Sequence, residues 1–449
     1  MFYPEFTREY IEKIKENPDR YEKDYQRMME TSLEERQLYK QDVIPMTYQG
    51  MFFQEDQLKE FRQIIEIMVS IGRKVTHRFL KDPQYRKGFH FDAKTEELIL
   101  IDPGYSIPVP VGRYDIFYNG DGGFKFCELN TDGSSAMNED RVLGGLLSDS
   151  LIMKEMAEEW TIEPFELFRS LAVGLAEIYR KTRGMLPRTV AIVDFIDKGT
   201  TKEFEHFRRV FEQEGFHTLI CDPRQMIYKE GRLIGKDVRS GEEAQIDLVY
   251  RRVVTSDFVD RMDHCPDFLQ AYRDRAFLML GSFRSQVMHS KLIFKMLSDP
   301  LTREILTEEE NAFVNRHVPL TRELLTEEDR REIIANKDRY ILKPYNLYAS
   351  QGIYVGHEHG SEEWARMITD LPLNQYIYQE YVHVDRTPIV EFIDGRLEVN
   401  DFAHVIGLFL YNERFAGSYT RVGQKGIISG ARAYYSAPVF LARRKLEDR

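Results

Sequence analysis

Cysteine is scarce in this sequence, and the cysteines that occur lie far apart. The 449 residues include three, Cys127, Cys221 and Cys265, and no two of them form a C-x-x-C pair. A disulfide framework needs several paired cysteines, and a structural zinc site needs closely spaced ligands. The sequence therefore predicts neither, and a reducing, cytoplasmic location fits this cysteine usage.

Long apolar segments are also missing. No apolar run approaches the ~18–20 residues that a membrane-spanning helix requires. The N-terminal segment is charged from Arg8 onward and lacks the apolar core of a signal peptide. We therefore expect a cytoplasmic protein with no membrane partner.

The chain carries no excess of positive charge. Its formal net charge is −12, whereas a general nucleic-acid binder normally presents a basic stripe. We expect no nucleic-acid partner, although a local cluster of Arg and Lys can still bind an anion such as ATP. Hydrophobic residues make up 42% and charged residues 30% of the chain, which is typical of a folded globular protein.

Several catalytic motifs are absent. The sequence contains no H-E-x-x-H, no G-x-S-x-G and no Walker G-K-[ST], which gives little support to zinc protease, serine hydrolase or P-loop chemistry. No G-x-G-x-x-G follows the strand that starts at Thr189, so a dinucleotide site is not predicted either.

The patterns that are present indicate a mixed α/β protein. Residues 57–79 have apolar side chains at helical spacing, and LILID at 98–102 has the character of a short strand. A strand–helix–strand unit from Thr189 predicts a Rossmann-like parallel sheet, and a helical region follows from Phe268 to Leu297. Turn signals predict an antiparallel, strand-rich C-terminal part. The expected parts are a helical N-terminal region at 1–97, a metal-binding part at 98–185, a Rossmann-like unit at 186–265 and a nucleotide-binding part at 266–449.

The pairs R-x-D at 113–115 and E-x-N at 128–130 lie on two predicted strands around a GDGG turn. Residues i and i+2 of a strand share a face. A four-residue loop that places Asn119 opposite Phe124 would also place Asp115 opposite Glu128. A shift of one residue would send the two pairs to opposite faces.

Two readings of this hairpin are open. Two carboxylates at ~4 Å repel by about 4 kcal/mol at an effective dielectric constant of ~20, and a divalent cation would remove that repulsion. Asp115, Glu128 and Asn130 offer the hard oxygen ligands that Mg²⁺ prefers. The alternative is an exposed hairpin with a surface ion pair between Arg113 and Glu128. Spacing alone favours neither reading.

Three further features are weak when each is taken alone. Lys343 ends a strand before a loop that contains Gly352, and Lys291 begins a predicted helix, so both lysines could bind phosphates. Gln379 and Glu380 lie on an apolar strand that could border an adenine base. Arg421 could stabilise a transferring phosphoryl group. A solvated lysine, an ordinary strand and a structural ion pair are the alternatives for the three features.

Taken in order, these pieces resemble the glutathionylspermidine synthetase family, whose members carry a circularly permuted ATP-grasp fold. The resemblance extends from Arg113 to Gly426 and is one of motif order and spacing. It implies Mg²⁺ on Asp115, Glu128 and Asn130, and ATP bound by Arg113, Asp115, Lys291, Lys343, Gly352, Gln379, Glu380, Tyr381, Val382 and Gly426. Arg113 and Arg421 would be the catalytic residues.

The sequence departs from that family in its acceptor motifs. The serine-rich turn after the metal asparagine reads TDGSSAMNED, in which Ser134 and Ser135 are the candidate substrate contacts and Gly133 replaces a serine. Where the family has two glutamates for a polyamine, this chain has Thr201 and Lys202. No segment resembles the amidase domain of the bifunctional members. Glutathione and spermidine are therefore not implied.

The resemblance implies an ATP-dependent ligase that joins a small-molecule or peptide carboxylate to an amine through an acylphosphate and releases ADP. The alternatives are a non-catalytic nucleotide-binding protein on the same fold and an ATP-grasp kinase. We expect Asp115→Asn to fold and to lose ADP formation.

Overall fold

The structure is a computed structural model that describes residues 4–31, 38–39, 42–43, 45–119, 123–197, 201–345, 352–424, 428 and 434–445. It is a mixed α/β protein with several separate sheets, as the sequence predicts. Gly426, the GDGG turn residues 120–122 and most of the loop after Lys343 lie outside the described residues. In the described part of the chain, no helix is long and apolar enough to cross a membrane.

The N-terminal region is mainly helical, as predicted. The long helix in it packs its apolar side, including Phe61 and Ile65, against the sheet that carries the candidate site. The elements are α1 Glu5–Glu16, α2 Pro18–Thr31, β1 Leu38–Tyr39, β2 Asp42–Val43, β3 Met51–Phe53, α3 Glu55–Lys81, α4 Pro83–Arg86 and α5 Ala93–Leu100.

The strand predicted at 98–102 is wrong, because this segment ends helix α5. Asp92 caps that helix by accepting a hydrogen bond from the backbone N–H of Thr95. Short apolar runs do not distinguish a strand from the buried end of a helix, and the capping aspartate is the signal that decides here.

The middle of the chain contains the predicted hairpin and the predicted parallel sheet. The elements are β4 Val111–Tyr118, β5 Phe124–Asn130, α6 Met137–Ser148, α7 Leu151–Met156, β6 Trp160–Pro164, α8 Leu167–Arg183, β7 Thr189–Val193, α9 Thr201–Gln213, β8 His217–Cys221, β9 Ile227–Lys229, β10 Arg232–Lys236, β11 Glu243–Gln245, β12 Leu248–Arg251, α10 Thr255–Arg261, α11 Pro266–Arg273 and β13 Leu278–Leu280.

The central sheet has the strand order β13-β12-β7-β8, and all of its pairs are parallel. This confirms the Rossmann-like unit. The continuous helical region predicted from Phe268 to Leu297 is wrong, because β13 interrupts it and adds a fourth strand. The run Leu278–Leu280 is fully buried, so its side chains carry no alternation that would mark a strand.

The C-terminal part supplies two antiparallel sheets, as predicted. The first has the order β14-β17-β15-β16, and the second joins β21-β20-β19 to the hairpin β4-β5, with β18 also paired to β19. The elements are α12 Gln286–His289, α13 Ile293–Ser298, α14 Pro300–Arg303, α15 Glu308–His317, β14 Thr321–Glu323, α16 Glu327–Ala335, β15 Tyr340–Pro344, β16 Tyr354–Val355, α17 Ser361–Asp370, β17 Tyr376–Glu380, β18 Arg386–Ile393, β19 Arg396–Tyr411, β20 Arg414–Gly423, β21 Tyr435–Ala437 and β22 Val439–Arg444.

The candidate site lies where the second of these sheets meets the first sheet and the central unit. The hairpin β4-β5 pairs through β4 with β19, which follows it by almost 300 residues in the chain. The four-part domain division made from the sequence stays a proposal.

Candidate active site

The hairpin β4-β5 has the register that the site requires. Asp115 lies opposite Glu128, and Arg113 lies opposite Asn130. Near the turn the prediction is off by one, because Tyr118 lies opposite Phe124. A bulge restores the predicted alignment: Ile116 pairs with Phe126 and Asp115 with Glu128, which leaves Cys127 as the extra residue.

Asp115 is fully buried beneath two arginines. Arg113 contacts both carboxylate oxygens, with Nε at 2.6 Å from Oδ1 and Nη2 at 3.0 Å from Oδ2. Arg421, on β20, donates from Nη2 to Oδ2 at 2.7 Å. Asn130 donates from Nδ2 to the same oxygen at 3.1 Å. The surface ion pair between Arg113 and Glu128 is therefore not the arrangement in this structure.

The side chain of Arg113 is held on several sides. Its guanidinium lies 5.8 Å from the ring centre of Phe409 and 5.6 Å from that of Tyr419, and Nη1 donates to the Ser135 carbonyl at 2.9 Å. Gly407 pairs with Asp115 across β19 and β4. A Cβ at Gly407 would lie 2.5 Å from Cδ of Arg113 and 2.9 Å from Oδ1 of Asp115. The glycine is therefore what lets the ion pair sit against the sheet.

Glu128 is ionised over the whole physiological range. Burial opposes the charge on this carboxylate, but Arg421, the Asn130 amide, Lys343 and Arg113 outweigh it and lower its pKa to about 2. Asn130 donates from Nδ2 to Glu128 Oε1 at 3.0 Å as well as to Asp115. Because its nitrogen faces two carboxylates, the amide oxygen of Asn130 faces away from both.

Two of the three predicted Mg²⁺ ligands, Glu128 and Asn130, fit the ion. The third, Asp115, fits only if a neighbouring arginine moves. Glu128 and Asn130 line a cavity and bring a carboxylate and an amide oxygen, which suit a hard cation. Asp115 does not line that cavity, and Arg113, Arg421 and Asn130 already contact its oxygens. A cation would reach Asp115 only after Arg421 moved away. Among the described residues, no three His, Cys, Asp or Glu side chains are grouped as metal ligands.

The cavity beside the hairpin has a volume of about 550 Å³, and most of the residues that line it are polar or charged. Arg113, Glu128, Asn130, Lys291 and Arg421, all predicted site residues, line it. Its other wall comes from α10 of the central unit and from the segment before α5. The hairpin, the central unit and the C-terminal sheets therefore all contribute to one cavity.

A second, narrower cavity of about 90 Å³ adjoins the first. Its walls are largely apolar, and the predicted adenine-binding segment from Gln379 to Val382 forms one side of it. Glu128, Lys291 and Arg421 line both cavities. An apolar slot thus opens, past charged side chains, into a polar chamber.

Lys343 and Gln379 form one buried unit. Lys343 Nζ donates to Gln379 Oε1 at 2.8 Å and to the Cys127 carbonyl at 3.2 Å, while Gln379 Nε2 donates to Thr321 Oγ1 at 2.8 Å. The side chain of Gln379 therefore orients Lys343, rather than reaching towards a base as expected. Glu380 also lines the slot, but it is exposed to solvent.

Lys291 lies just before α13, close to the predicted helix start, and lines both cavities. Burial lowers its pKa to about 8, against the opposing charge of Glu128. A partly desolvated ammonium at this point is suited to bind an anion. Gly352 has a left-handed backbone, with φ of 67°, next to Ile353, which also lines both cavities.

The two serines predicted to contact a substrate differ in placement. Ser135 is exposed and lines the polar cavity. Ser134 is buried, and its hydroxyl donates to the Asn130 carbonyl at 2.5 Å. Ser134 therefore supports the turn after β5 rather than the cavity wall.

Sequence reasoning missed several residues of the site. Arg251 and Asp132 form a fully buried ion pair at 2.6 Å that joins the central unit to the turn after β5. Asp132 also accepts from the backbone N–H of Thr255 at 2.7 Å. Glu139 lines the cavity and was not singled out. The Arg251–Arg252 dipeptide at the end of an apolar strand was an available signal, because buried charges need partners.

Comparison with known proteins decides the family. Residues 150–423 match the family described as "Circularly permuted ATP-grasp type 2". The chain belongs to this family. The ATP-grasp match spans more than half of the chain, and it includes Lys291, Lys343, Gln379 and Arg421 but not the hairpin β4-β5.

One solved structure shares the fold over most of the chain, and a second is similar at a lower score. A glutathione synthetase-like effector from Globodera pallida matches with a TM-score of 0.54 and 12% identity, over 89% of this chain and 91% of that one. A putative gamma-glutamylcysteine synthetase from Methylobacillus flagellatus has a TM-score of 0.36 and 10% identity, over 83% and 85% of the two chains. No curated protein sequence matches significantly.

ATP-grasp membership confirms the predicted fold and supports an ATP-dependent ligase in general. The narrower resemblance to glutathionylspermidine synthetases stays a prediction.

Proposed function

We propose that this protein is an ADP-forming ligase that joins a carboxylate to an amine through an acylphosphate. The observation that supports the proposal most strongly is the pair of adjoining cavities. The apolar slot and the polar chamber share Glu128, Lys291 and Arg421. A nucleotide has the same order of parts, with an apolar base at one end and a reacting phosphate at the other.

In this proposal the adenine base occupies the slot beside Tyr381 and Val382. Lys343 and Lys291 bind the phosphates, and Gln379 keeps the ammonium of Lys343 in place. Gly352 and Ile353, which follow Lys343 in the chain, would border the phosphates. Ammonium groups fixed in a partly desolvated site stabilise phosphate charge more strongly than they would in water.

Magnesium would be held by Glu128 and Asn130, and by Asp115 once Arg421 has left it. The ion would offset charge that develops on the phosphates. Arg421 is then the residue that exchanges partners. It pairs with Asp115 in this structure, and in the proposal it contacts the transferring phosphoryl group or the tetrahedral oxyanion during turnover.

Arg113 stays on Asp115 and points its Nη1 toward the Ser135 turn, where the acid substrate is expected. Ser135 would contact that substrate, a small molecule or a peptide with a free carboxylate. The carboxylate attacks the terminal phosphate, and the amine then displaces phosphate from the acylphosphate.

One observation favours a rival, a nucleotide-binding protein without catalysis. The two arginines and Asn130 already contact both oxygens of Asp115, so the carboxylate needs no cation for its charge. The rival predicts ATP binding that is independent of Mg²⁺ and no turnover.

The test is a screen for ADP release over a panel of acids with ATP, with and without Mg²⁺, in which hydroxylamine replaces the unknown amine. Hydroxylamine traps an acylphosphate as a hydroxamate. The proposal predicts ADP and hydroxamate in equal amounts with at least one acid and none without Mg²⁺. AMP and pyrophosphate, or no ADP with any acid, would contradict it. A phosphate ester formed without hydroxylamine would indicate a kinase.

A further inference from the structure

An amine substrate arrives with a proton that must be removed before its nitrogen can attack. An alkylammonium group has a pKa of about 10.4, so a ligase at neutral pH needs a base in the chamber. Resting on the proposed function, we propose that Glu139 is the catalytic residue that accepts this proton.

The side chain of Glu139 is fixed at the chamber wall by two hydroxyl groups on one of its oxygens. Oε2 accepts from the Tyr419 hydroxyl at 2.6 Å and from Ser436 Oγ at 3.2 Å. Among the described residues, no hydrogen bond to Oε1 is recorded. One oxygen therefore orients the carboxylate, and the other is left for a partner in the chamber.

Glu139 also lies beside the expected acyl group. Tyr419, which donates to it, is one of the two rings that flank the Arg113 guanidinium. Arg113 donates to the carbonyl of Ser135, one residue before the turn into α6, which carries Glu139 near its start. A base at this point is close to the group that the amine must attack.

The other carboxylates of the chamber are less suited to this role. Arg421 and other cations lower the pKa of Glu128 to about 2, which makes it a poor base. Asp132 is engaged by Arg251 and by the Thr255 N–H, and these contacts lower its pKa against the effect of burial. Asp92 caps α5 and also has a lowered pKa. Asp260 is exposed on α10, and no contact within the described part of the chain orients it.

The surroundings of Glu139 raise its pKa instead of lowering it. Burial and the nearby charge of Glu203 raise its pKa, and the hydrogen bonds from Tyr419 and Ser436 and the charge of Arg113 only partly offset this effect. A carboxylate with a raised pKa holds a proton more firmly, so it is a better base than its neighbours.

Glu139 takes one proton from the ammonium, and the freed electron pair on nitrogen forms the bond to the acyl carbon. The bond between that carbon and the phosphate oxygen breaks, and its electron pair leaves with the phosphate. The second proton of the nitrogen goes to the departing phosphate, and Glu139 returns its proton to water.

Hydroxylamine tests this role, because at neutral pH it is mostly uncharged and needs no base. We expect Glu139→Gln to form hydroxamate at a rate within about threefold of wild type, and to react with an alkylamine about 100-fold or more slowly, the usual effect of losing a general base. Glu139→Asp should recover part of the alkylamine rate. The matched control is Asp140→Asn, next in the chain, whose carboxyl has a pKa raised by burial to about 8 and is protonated at neutral pH.

The outcomes separate the two proposals. If Glu139→Gln lost hydroxamate and amide formation equally, Glu139 would have a structural or binding role and the inference would be wrong. If it kept both rates, the proton would go elsewhere and the inference would also be wrong. If wild type formed no ADP with any acid, the proposed function would fail first, and the role of Glu139 with it.

Discussion

Arg421 on β20 contacts Asp115 on β4 with Nη2 at 2.7 Å from Oδ2, although the two residues are 306 positions apart in the chain. Arg113 contacts the same carboxylate from two positions before it. Both arginines also line the chamber, where the ionised carboxylate of Glu128 lies close to them. The ion pair therefore joins two strands of the sheet and holds both guanidinium groups at the chamber wall.

Asp115→Asn is expected to lose ADP formation and also to destabilise the fold. The expectation from the sequence was that this variant folds well, but the carboxylate is fully buried and compensates Arg113. Removing one partner of a buried pair typically costs about 3–5 kcal/mol. Chemical denaturation should therefore show a lower free energy of unfolding. A variant as stable as wild type would mean that the arginines are solvated in solution.

Glu128→Gln is the better test of the metal site, because Glu128 borders the chamber and is not covered by a guanidinium. We expect the variant to fold at neutral pH, although less stably than wild type, and to lose Mg²⁺-dependent ADP formation. Mg²⁺ titration of ADP release with wild type and variant measures this effect. Equal Mg²⁺ dependence in the two proteins would exclude Glu128 as a ligand.

The same variant measures how much the ionised Glu128 carboxylate contributes to the free energy of unfolding at low pH. Its pKa is lowered from 4.5 to about 2, so its ionised form stabilises the fold above pH 4.5. That stabilisation, up to about 3 kcal/mol, is lost as the pH falls from 4.5 towards 2. The difference in unfolding free energy between wild type and Glu128→Gln should shrink over this interval. A difference that stays constant would contradict the lowered pKa.

Gly407→Ala should disturb the site although no charged residue is replaced. The added methyl would lie 2.5 Å from Cδ of Arg113, so the arginine must shift. Overpacking of this kind costs about 1–3 kcal/mol, and ATP turnover should fall with it. The control is Gly145→Ala on helix α6, where a Cβ meets nothing within 4 Å. The control should be neutral or stabilising by up to about 1 kcal/mol. Equal activity of Gly407→Ala and wild type would contradict the close approach.

Gln379→Leu tests whether Gln379 acts through Lys343. The change removes the acceptor at 2.8 Å from Lys343 Nζ and leaves the Cys127 carbonyl as the remaining recorded contact of that ammonium. We expect the Kd for ATP to rise about tenfold, which is ~1.4 kcal/mol. Calorimetry on Gln379→Leu, Lys343→Met and the double variant gives the coupling. Additive effects would mean that the two side chains act independently.

The site could be predicted from the sequence where its signal is local. The i, i+2 spacing placed Arg113 with Asp115 and Glu128 with Asn130, and the predicted register at Asp115 is correct although the turn is one residue longer than predicted. The bulge at Cys127 could not be predicted, because nothing in the local sequence specifies an unpaired residue. The two errors, one at the turn and one at the bulge, cancelled at the site.

Contacts between elements that are distant in the chain could not be predicted from the sequence pattern. The partners of Arg421 and Gln379 depend on which strands meet, and a single sequence does not specify that. The fold class and the parallel central sheet were predicted because strand and helix lengths are local properties. The helix at Ala93–Leu100 was missed because its apolar residues form one short run, and the strand at Leu278–Leu280 was missed because a short, fully buried run has no periodicity.

Oxygen transfer is the most direct test of the central claim that a carboxylate is activated as an acylphosphate. The acid found in the ADP screen is labelled with ¹⁸O in its carboxylate and incubated with ATP, Mg²⁺ and amine. The account predicts that each released phosphate carries one ¹⁸O atom from the acid, seen by mass spectrometry. Phosphate without ¹⁸O, or ¹⁸O found in AMP, would contradict it.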